Sequence, residues 1–348
     1  MSATIAIAGR AVGAGAPVFF IAEAGVNHNG DPALAHRLIE VAAAAGADAV
    51  KFQTFRTEAL VSRHAPKAQY QVETTGAAES QLEMLRKLEL SRETFASLAQ
   101  ACRRRGILFL SSPFDLVSAD DLESLDVAAF KTGSGELTNL PLLDHLAAKG
   151  RPIIVSTGMA TLAEVETAVA TVGQRAPLAL LHCVSAYPTP PEETNLRAMA
   201  TLRARFGCPV GFSDHTPGLT VSIAAVALGA SIIEKHFTLD RALPGPDHRA
   251  SLDPVGLTAL VAAVREVEAS LGDGDKRPMP SELSTRAVAR KSLVATRALR
   301  KGETLAAASV AVKRPGTGIA PGELARALGR RLTRDVEVDE VIDWSMLE

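Results

Sequence analysis

Residues 209–240 read PVGFSDHTPGLTVSIAAVALGASIIEKHFTLD, and the pattern of this stretch decides the fold. Two short apolar runs, Pro209–Ser213 and Ser231–Phe237, flank Leu219–Leu228, an alanine-rich segment with the composition of a helix. Glycine or proline separates the segments. A strand, a helix and a second strand in this order are typical of a βαβ unit with parallel strands.

The same alternation extends in both directions and predicts eight strands between about residue 18 and about residue 270. They are Val18–Val26, Ala49–Phe55, Ile107–Ser112, Ala128–Gly133, Pro152–Thr157, Ala179–Ser185, Pro209–Ser213 and Ser231–Phe237. Helical segments between them include Pro32–Ala45, Arg92–Arg105 and Leu162–Val172. Eight repeats without a hairpin signal among them predict an α/β fold of the (β/α)8 TIM-barrel type. A doubly wound open sheet is the alternative.

Two segments interrupt this alternation. The polar stretch Arg56–Ser91 predicts a loop over the barrel mouth, and the Gly- and Pro-rich stretch Gly272–Ser284 predicts a linker. We therefore expect a barrel over residues 1–272, a linker over 273–285 and a small domain over 286–348, with short strands at Ser292–Ala295 and Val310–Lys313. The small domain carries 12 Lys and Arg against 8 Asp and Glu, a net charge of +4.

Composition excludes several classes of function. The 348 residues are 47% hydrophobic and carry a formal charge of −2, and only 4% are aromatic, which argues against a nucleic-acid-binding surface. No uninterrupted apolar run reaches the roughly 18 residues of a membrane span, and the N-terminus lacks an export signal. Three cysteines without a CxxC pair predict neither disulfides nor a thiolate zinc site, so we expect a cytoplasmic protein.

Polar residues cluster at the carboxyl ends of the predicted strands, where a barrel of this type places its active site. Two of them are histidines at the ends of the last two strands, His215 and His236, and imidazole nitrogens bind Zn, Mn, Fe or Co ions. The carboxylates of Glu23, Glu234 and Asp247 are candidates for further ligands or for proton transfer. Structural hydrogen bonding of the two histidines is the alternative.

Two lysines, Lys51 and Lys131, lie within apolar strands. Burying an ammonium is costly without an anionic partner, which predicts a bound phosphate or carboxylate at this place. A Schiff base to a carbonyl substrate and a salt bridge to Glu23 or Glu136 are the alternatives. Serine hydroxyls at the strand ends offer neutral hydrogen-bond donors to the same anion.

Several strings of this sequence resemble one enzyme family along nearly the whole chain and in the same order. They are FIAEAGVNHNGD (20–31), VKFQTF (50–55), FKTGSGE (130–136), STGM (156–159), YPTP (187–190), GFSDHTPG (211–218), IEKHFTLD (233–240) and GPDHRASL (245–252). This pattern resembles the sialic acid synthase family. The string KRPGTGI (313–319) is similar to its C-terminal antifreeze-like domain, a small β-clip domain also called SAF.

The resemblance implies a transferase that condenses phosphoenolpyruvate with an N-acetylmannosamine-type sugar and releases phosphate by C–O cleavage. It implies Mn²⁺, or another divalent ion such as Mg²⁺ or Co²⁺, as the metal. N-acetylneuraminate synthase is the first expectation. The alternative is N,N'-diacetyllegionaminate synthase, with 2,4-diacetamido-2,4,6-trideoxymannose as the acceptor; a pseudaminate synthase fits the motifs less well.

The resemblance also assigns roles position by position. The metal ligands are His215 and His236, the phosphoenolpyruvate contacts are Lys51, Ser112, Lys131, Ser134, Ser156, Ser185 and Ser213, and the sugar contacts are Gln53, Glu136, Tyr187 and Asp247. Arg314 is expected to reach the sugar of a partner subunit in a domain-swapped homodimer. Glu23 or Asp247 would move protons, and Glu234 would orient metal-bound water.

Three rival functions remain open. A Schiff-base aldolase would use Lys131, and a related synthase would take an aldose phosphate instead of an N-acyl sugar. The third rival is an ice- or carbohydrate-binding role for the C-terminal domain, which its basic Lys313 and Arg314 and its lack of a flat threonine array disfavour.

Overall fold

The computed structural model describes residues 4–348, which divide into two compact units at Gly272 and Asp273. The first unit contains ten strands: β1 (Ile5–Ile7), β2 (Arg10–Val12), β3 (Phe19–Gly25), β4 (Ala49–Thr54), β5 (Leu108–Pro113), β6 (Phe130–Thr132), β7 (Ile153–Ser156), β8 (Leu178–Cys183), β9 (Val210–Asp214) and β10 (Ile232–His236). The second unit contains β11 (Ser292–Ala295) and β12 (Val310–Lys313).

The α-helices of the first unit follow the strands. They are α1 (Pro32–Ala44), α2 (Thr57–Leu60), α3 (Gln69–Thr75), α4 (Gln81–Arg86), α5 (Arg92–Arg105), α6 (Leu116–Ser124), α7 (Leu140–Ala148), α8 (Leu162–Val172), α9 (Ala198–Phe206), α10 (Thr220–Ala227) and α11 (Pro254–Leu271). The second unit contains α12 (Leu283–Ala289) and α13 (Leu324–Ala327). No helix within residues 4–348 has both the length and the apolar composition needed to span a bilayer.

Strands β3 to β10 form one parallel eight-stranded sheet in the order β5-β4-β3-β10-β9-β8-β7-β6, and its end strands β5 and β6 contact each other. This is the predicted (β/α)8 barrel, so the fold prediction is confirmed and the open sheet is excluded. All eight predicted strands are present, with ends that differ by one or two residues.

Local signals explain where the helices begin and end. Helix α5 begins after Ser91, whose hydroxyl accepts a hydrogen bond from the Thr94 amide, and it ends at Gly106 in the left-handed conformation. Helix α8 begins with a capping box between Thr161 and Glu164. Such a cap stabilises a helix by about 1 kcal/mol, and it fixes the loop that precedes it at the barrel mouth.

The hydrophobic core of the barrel has two layers. One lies between the strands and the surrounding helices, and it contains Phe20, Val50 and Phe212. The other lies inside the barrel at the amino ends of the strands, where Ile5 and Val12 pack among strand residues such as Leu181. The antiparallel β1–β2 hairpin therefore helps to fill the lower end of the barrel, and only the carboxyl ends remain available for a site.

The segment Arg56–Ser91 differs from its prediction as a loop. It forms α2, α3 and α4, because Ser80 and Glu83 make a capping box at the start of α4 and Lys67 bonds the Thr75 hydroxyl at the end of α3. Its position does reach the mouth, since the ring of Tyr70 in α3 lies 5.0 Å from the ring of Tyr187.

The second unit has its own small hydrophobic core, formed by residues such as Leu293, Leu305 and Ile342. Strands β11 and β12 form its antiparallel pair. The segment predicted as a linker contains the beginning of α12, whose residues are mostly exposed.

Candidate active site

The register of the strands brings three predicted residues into one row. His236 of β10 pairs with Glu23 of β3, and Glu23 pairs with Lys51 of β4. On the other side of β10, Glu234 pairs with Ser213 of β9. Since parallel strands end together, these side chains meet at the carboxyl end of the barrel.

A buried network of ion pairs occupies the base of this site. The Lys51 ammonium lies 2.8 Å from Glu23 Oε2 and 3.7 Å from Glu234 Oε2. The Lys131 ammonium lies 3.4 Å from Glu234 Oε1 and donates to the Thr132 carbonyl at 2.8 Å. The salt bridge considered for Lys51 from the sequence is thus present, but Glu234 is shared between two lysines.

Serine hydroxyls surround the two ammonium groups. Lys51 donates to Ser112 Oγ at 3.1 Å, Lys131 donates to Ser156 Oγ at 2.7 Å, and Ser213 donates to Glu234 Oε1 at 2.8 Å. The hydroxyls of Ser134 and Ser185 meet at Gly158, where a Cβ atom would lie 2.7 Å from the first and 2.4 Å from the second. Glycine at this position therefore leaves the room that the two hydroxyls need.

The two carboxyl groups have opposite pKa shifts. Burial raises the pKa of Glu23 to about 7, although Lys51 opposes the shift. Burial also disfavours the Glu234 carboxylate, but Lys131 and Lys51 outweigh it and lower the pKa of Glu234 to about 2. Glu234 is therefore the carboxyl that stays ionised, and Glu23 keeps its proton to a higher pH than an ordinary carboxyl.

The two lysines also have opposite pKa shifts. Burial lowers the pKa of Lys131, Glu234 and Glu23 only partly oppose this shift, and Lys51 adds to it. For Lys51, Glu23 and Glu234 outweigh the effect of burial and raise the pKa. Both ammonium groups lie among serine hydroxyls, and together they offer N–H and O–H donors to an anionic ligand.

The two predicted metal ligands are close together, with ring centroids 5.4 Å apart. His215 Nδ1 donates to the Val184 carbonyl at 2.8 Å, so its Nε2 carries no proton when the ring is neutral. Burial, followed by the neighbouring His215, holds the pKa of His236 well below its usual range, and its buried Nδ1 has no hydrogen-bond partner among residues 4–348.

These imidazoles fit a divalent metal ion, since both are buried, their rings lie side by side, and imidazole nitrogens are common metal ligands. No group of three or more His, Cys, Asp or Glu side chains within residues 4–348 has metal-binding geometry. The two histidines would therefore hold an ion together with water or substrate oxygens.

Aromatic and basic side chains line the mouth above the histidines. The Tyr187 ring lies 4.2 Å from the His215 ring and 5.0 Å from the ring of Tyr70. A cavity of about 540 Å³ opens beside the two tyrosines and is also lined by Arg241 and Arg249. Its size suits a small ligand such as a sugar.

Two further sugar-facing candidates belong to the same mouth. Burial raises the pKa of Asp247 to about 6, which His215 partly opposes. The Gln53 amide lies 3.5 Å from Glu23 Oε1.

Two predicted residues lie apart from this cluster. Glu136 is buried and accepts a hydrogen bond from Asn139 at 2.7 Å, and no side-chain contact within residues 4–348 joins it to the lysine network. Arg314 lies exposed in the second unit, directly after β12. Nothing inside the first unit therefore assigns Arg314 to the barrel.

The structure also places residues at the site that the sequence did not indicate. Cys183 lies 3.7 Å from His215 Nδ1, and Tyr70 comes from the segment expected to be a loop. The one sequence signal for Tyr70 was its rarity, because the chain has only two tyrosines. Lys235 and Asp214 form a second buried ion pair, at 2.9 Å. Each follows a site residue by one position in its strand, Glu234 in β10 and Ser213 in β9, so the pair lies on the outer face of the barrel.

Comparison with known proteins gives two family matches. Residues 38–276 match the NeuB family, and residues 290–348 match the SAF domain. The first match spans more than half of the chain.

Individual relatives cover almost the whole chain. It is 46% identical to the N,N'-diacetyllegionaminic acid synthase of Legionella pneumophila, over 95% of this chain and 94% of that protein. It is 47% identical to the N,N'-diacetyllegionaminic acid synthase of Campylobacter jejuni, over 92% of this chain and 98% of that protein. A solved N-acetylneuraminic acid synthetase from Leptospira borgpetersenii, in complex with citrate, is 36% identical with a TM-score of 0.73, over 82% of this chain and 95% of that one.

Proposed function

The chain belongs to the NeuB family of sialic and legionaminic acid synthases, and we propose that it condenses phosphoenolpyruvate with 2,4-diacetamido-2,4,6-trideoxymannose to give N,N'-diacetyllegionaminate. The sequence-based first expectation was N-acetylneuraminate. The higher identity to two legionaminate synthases, 46% and 47% against 36%, favours the alternative acceptor.

One observation of the site carries the proposal of phosphoenolpyruvate. Lys51 and Lys131 share Glu234 and lie among serine hydroxyls, so the base of the barrel gathers ammonium and hydroxyl donors in one place. Phosphoenolpyruvate offers a phosphate and a carboxylate that match these donors.

The proposed reaction uses the residues around this base. C3 of phosphoenolpyruvate would attack the aldehyde carbon of the open-chain sugar, water would add at C2, and phosphate would leave with cleavage of the C–O bond. Glu23, whose pKa burial raises to about 7, would take a proton from the water or return one to the aldehyde oxygen. Glu234 stays ionised and orients the two lysines.

His215 and His236 would hold the divalent ion, which we propose to be Mn²⁺. When bound, such an ion supplies Lewis-acid polarisation of the acceptor aldehyde. Asp247, Tyr187 and Gln53 would hold the sugar hydroxyls and acyl groups at the mouth.

We also propose a homodimer in which Arg314 of one copy contacts the sugar in the barrel of the other. The exposure of Arg314 and the net charge of +4 on residues 286–348, within a chain of charge −2, support an electrostatic attraction between the two parts.

A phosphate-release assay tests the proposed function. The protein is incubated with phosphoenolpyruvate and Mn²⁺ and with either the diacetamido sugar or N-acetylmannosamine. We expect phosphate release with both components present and a kcat/KM at least tenfold higher for the diacetamido sugar. A preference for N-acetylmannosamine would return the assignment to N-acetylneuraminate synthase.

Borohydride treatment in the presence of pyruvate distinguishes the proposed synthase from a Schiff-base aldolase. The Lys131 ammonium donates to Thr132 O and Ser156 Oγ and lies 3.4 Å from Glu234 Oε1, and we propose that it binds the anionic substrate as an ammonium and forms no Schiff base. We expect no covalent labelling, and a stable adduct on Lys131 would identify an aldolase.

A further inference from the structure

We propose that Asn27 and Ser251 are positioning residues that fix Asp247 at the barrel mouth through a buried chain of hydrogen bonds. The inference rests on the proposed function, since it assumes that Asp247 contacts the acceptor sugar. It assigns a role to two motifs, NHNG after β3 and GPDHRAS after β10, whose remaining polar residues the proposed reaction does not use.

The chain of hydrogen bonds has a defined direction. The Asn27 amide donates from Nδ2 to the Phe237 carbonyl at 2.8 Å and to Ser251 Oγ at 2.9 Å. A carbonyl oxygen only accepts, so the orientation of the amide is fixed. The Ser251 hydroxyl, having accepted from Asn27, donates to the Asp247 carbonyl at 2.7 Å.

Burial makes this chain costly to interrupt. Asn27 is fully buried, Ser251 is 3% exposed and Asp247 is 7% exposed. Hydrogen bonds in such a setting are stronger than in water, and a donor left without a partner there carries a desolvation penalty. The loop that carries Asp247 is therefore held in one position.

A second contact joins the same two segments. His248 Nε2 lies 3.0 Å from Asn29 Oδ1, and the Thr238 hydroxyl lies 2.6 Å from His248 Nδ1. The backbone of Gly245 approaches this contact closely, since a Cβ atom there would lie 2.6 Å from His248 Cδ2 and 2.7 Å from Asn29 Oδ1. Glycine at 245, with its φ of +149°, is what lets the loop close over the pair.

The arrangement connects the two carboxyl groups that the reaction uses. Glu23 lies on β3, four residues before Asn27, and Asp247 lies on the loop that Asn27 and Ser251 hold. A shift of this loop moves the Asp247 carboxyl relative to Glu23 but leaves Lys51 and Lys131 on their own strands. The acceptor sugar is thus affected, and phosphoenolpyruvate is not.

Steady-state kinetics of Ser251→Ala tests this separation, because the substitution removes one oxygen atom and no volume that the core depends on. We expect the KM for the diacetamido sugar to rise about tenfold, the value of one hydrogen bond, while the KM for phosphoenolpyruvate changes less than twofold. Ser251→Thr keeps a hydroxyl and should recover most of the sugar KM. Ser309→Ala is the matched control, since Ser309 is an equally buried serine that donates to the Ala306 carbonyl in the second unit.

Hydrogen–deuterium exchange supplies a second measurement that does not depend on activity. Peptides that cover residues 237–251 should exchange faster in Ser251→Ala and in Asn27→Asp than in the unmodified protein. Asn27→Asp is an isosteric change that removes both N–H donors of the amide. Peptides that cover β4 and β6 should exchange at the same rate in all three proteins.

Unchanged exchange in residues 237–251, or an equal rise of both KM values, would overturn the positioning role. Failure of the proposed function would look different. The unmodified protein would then form no product from either sugar, while the exchange difference would still decide whether Ser251 holds the loop.

Discussion

Replacement of Lys51 by methionine should abolish tight binding of phosphoenolpyruvate while the barrel stays folded. Lys51 has three N–H donors: Glu23 Oε2 at 2.8 Å and Ser112 Oγ at 3.1 Å take two, and Glu234 at 3.7 Å lies beyond hydrogen-bond distance. One donor is therefore free for an anionic ligand. A charge-assisted hydrogen bond contributes about 1.5–3 kcal/mol, so Lys51→Met should raise the Kd for phosphoenolpyruvate roughly 10- to 100-fold.

The cost in stability should be smaller than for an ordinary buried pair. Glu23 already has a pKa of about 7, so it can take up a proton when its counter-ion is removed, and Glu234 retains Lys131. We expect the free energy of unfolding to fall by about 1–2 kcal/mol. Titration calorimetry gives the Kd, and urea denaturation gives the free energy of unfolding.

Lys235→Met is the matched control, because Lys235 is an equally buried lysine in an ion pair with Asp214. Breaking that pair should cost about 3–5 kcal/mol of stability but leave the Kd for phosphoenolpyruvate within threefold. If Lys51→Met bound phosphoenolpyruvate as tightly as the unmodified protein, or if both variants lost affinity equally, the assignment of the anion site to the barrel base would be wrong.

Three further predictions follow from the site. Glu23→Gln should be more stable than the unmodified protein at pH 8, by up to about 3 kcal/mol, and about as stable near pH 5. The reason is that folding raises the pKa of Glu23 from 4.5 to about 7, so the unmodified protein loses stability as the pH rises through that window. Equal urea midpoints of the two proteins at pH 8 would contradict this prediction. His236→Ala should weaken Mn²⁺ binding at least tenfold in titrations followed by electron paramagnetic resonance. His182→Ala is the control, because His182 is a buried histidine outside the site, and it should leave Mn²⁺ binding unchanged. Unchanged Mn²⁺ affinity in His236→Ala would exclude His236 as a ligand. Arg314→Ala should raise the KM for the sugar far more than the KM for phosphoenolpyruvate, and sedimentation measures whether the protein is a dimer. Equal effects on both KM values would count against a contact of Arg314 across the dimer.

The barrel and much of its mouth were predictable because their signals are local. Each strand ends where an apolar run meets polar residues, as in the IIEKH of β10, and parallel pairing then brings those ends together whatever the loops do. Lys51, Glu23 and His236 lie in one row for this reason alone.

The remaining features depend on contacts between distant residues, which leave little trace in the sequence. The β1–β2 strands are three residues each, too short for a pattern, and their place is set by packing inside the barrel. The helices of Arg56–Ser91 have polar sequences stabilised by caps and side-chain contacts. The pair of Asp214 and Lys235 required the strand register to be known.

The reaction itself can be tested with phosphoenolpyruvate labelled with ¹⁸O in the bridging position. The protein, Mn²⁺, the labelled substrate and 2,4-diacetamido-2,4,6-trideoxymannose are incubated together, and both products are weighed by mass spectrometry. We predict a nine-carbon acid without the label and phosphate that carries it, because the C–O bond breaks. Label in the acid, or pyruvate without any nine-carbon acid, would contradict the proposed synthase.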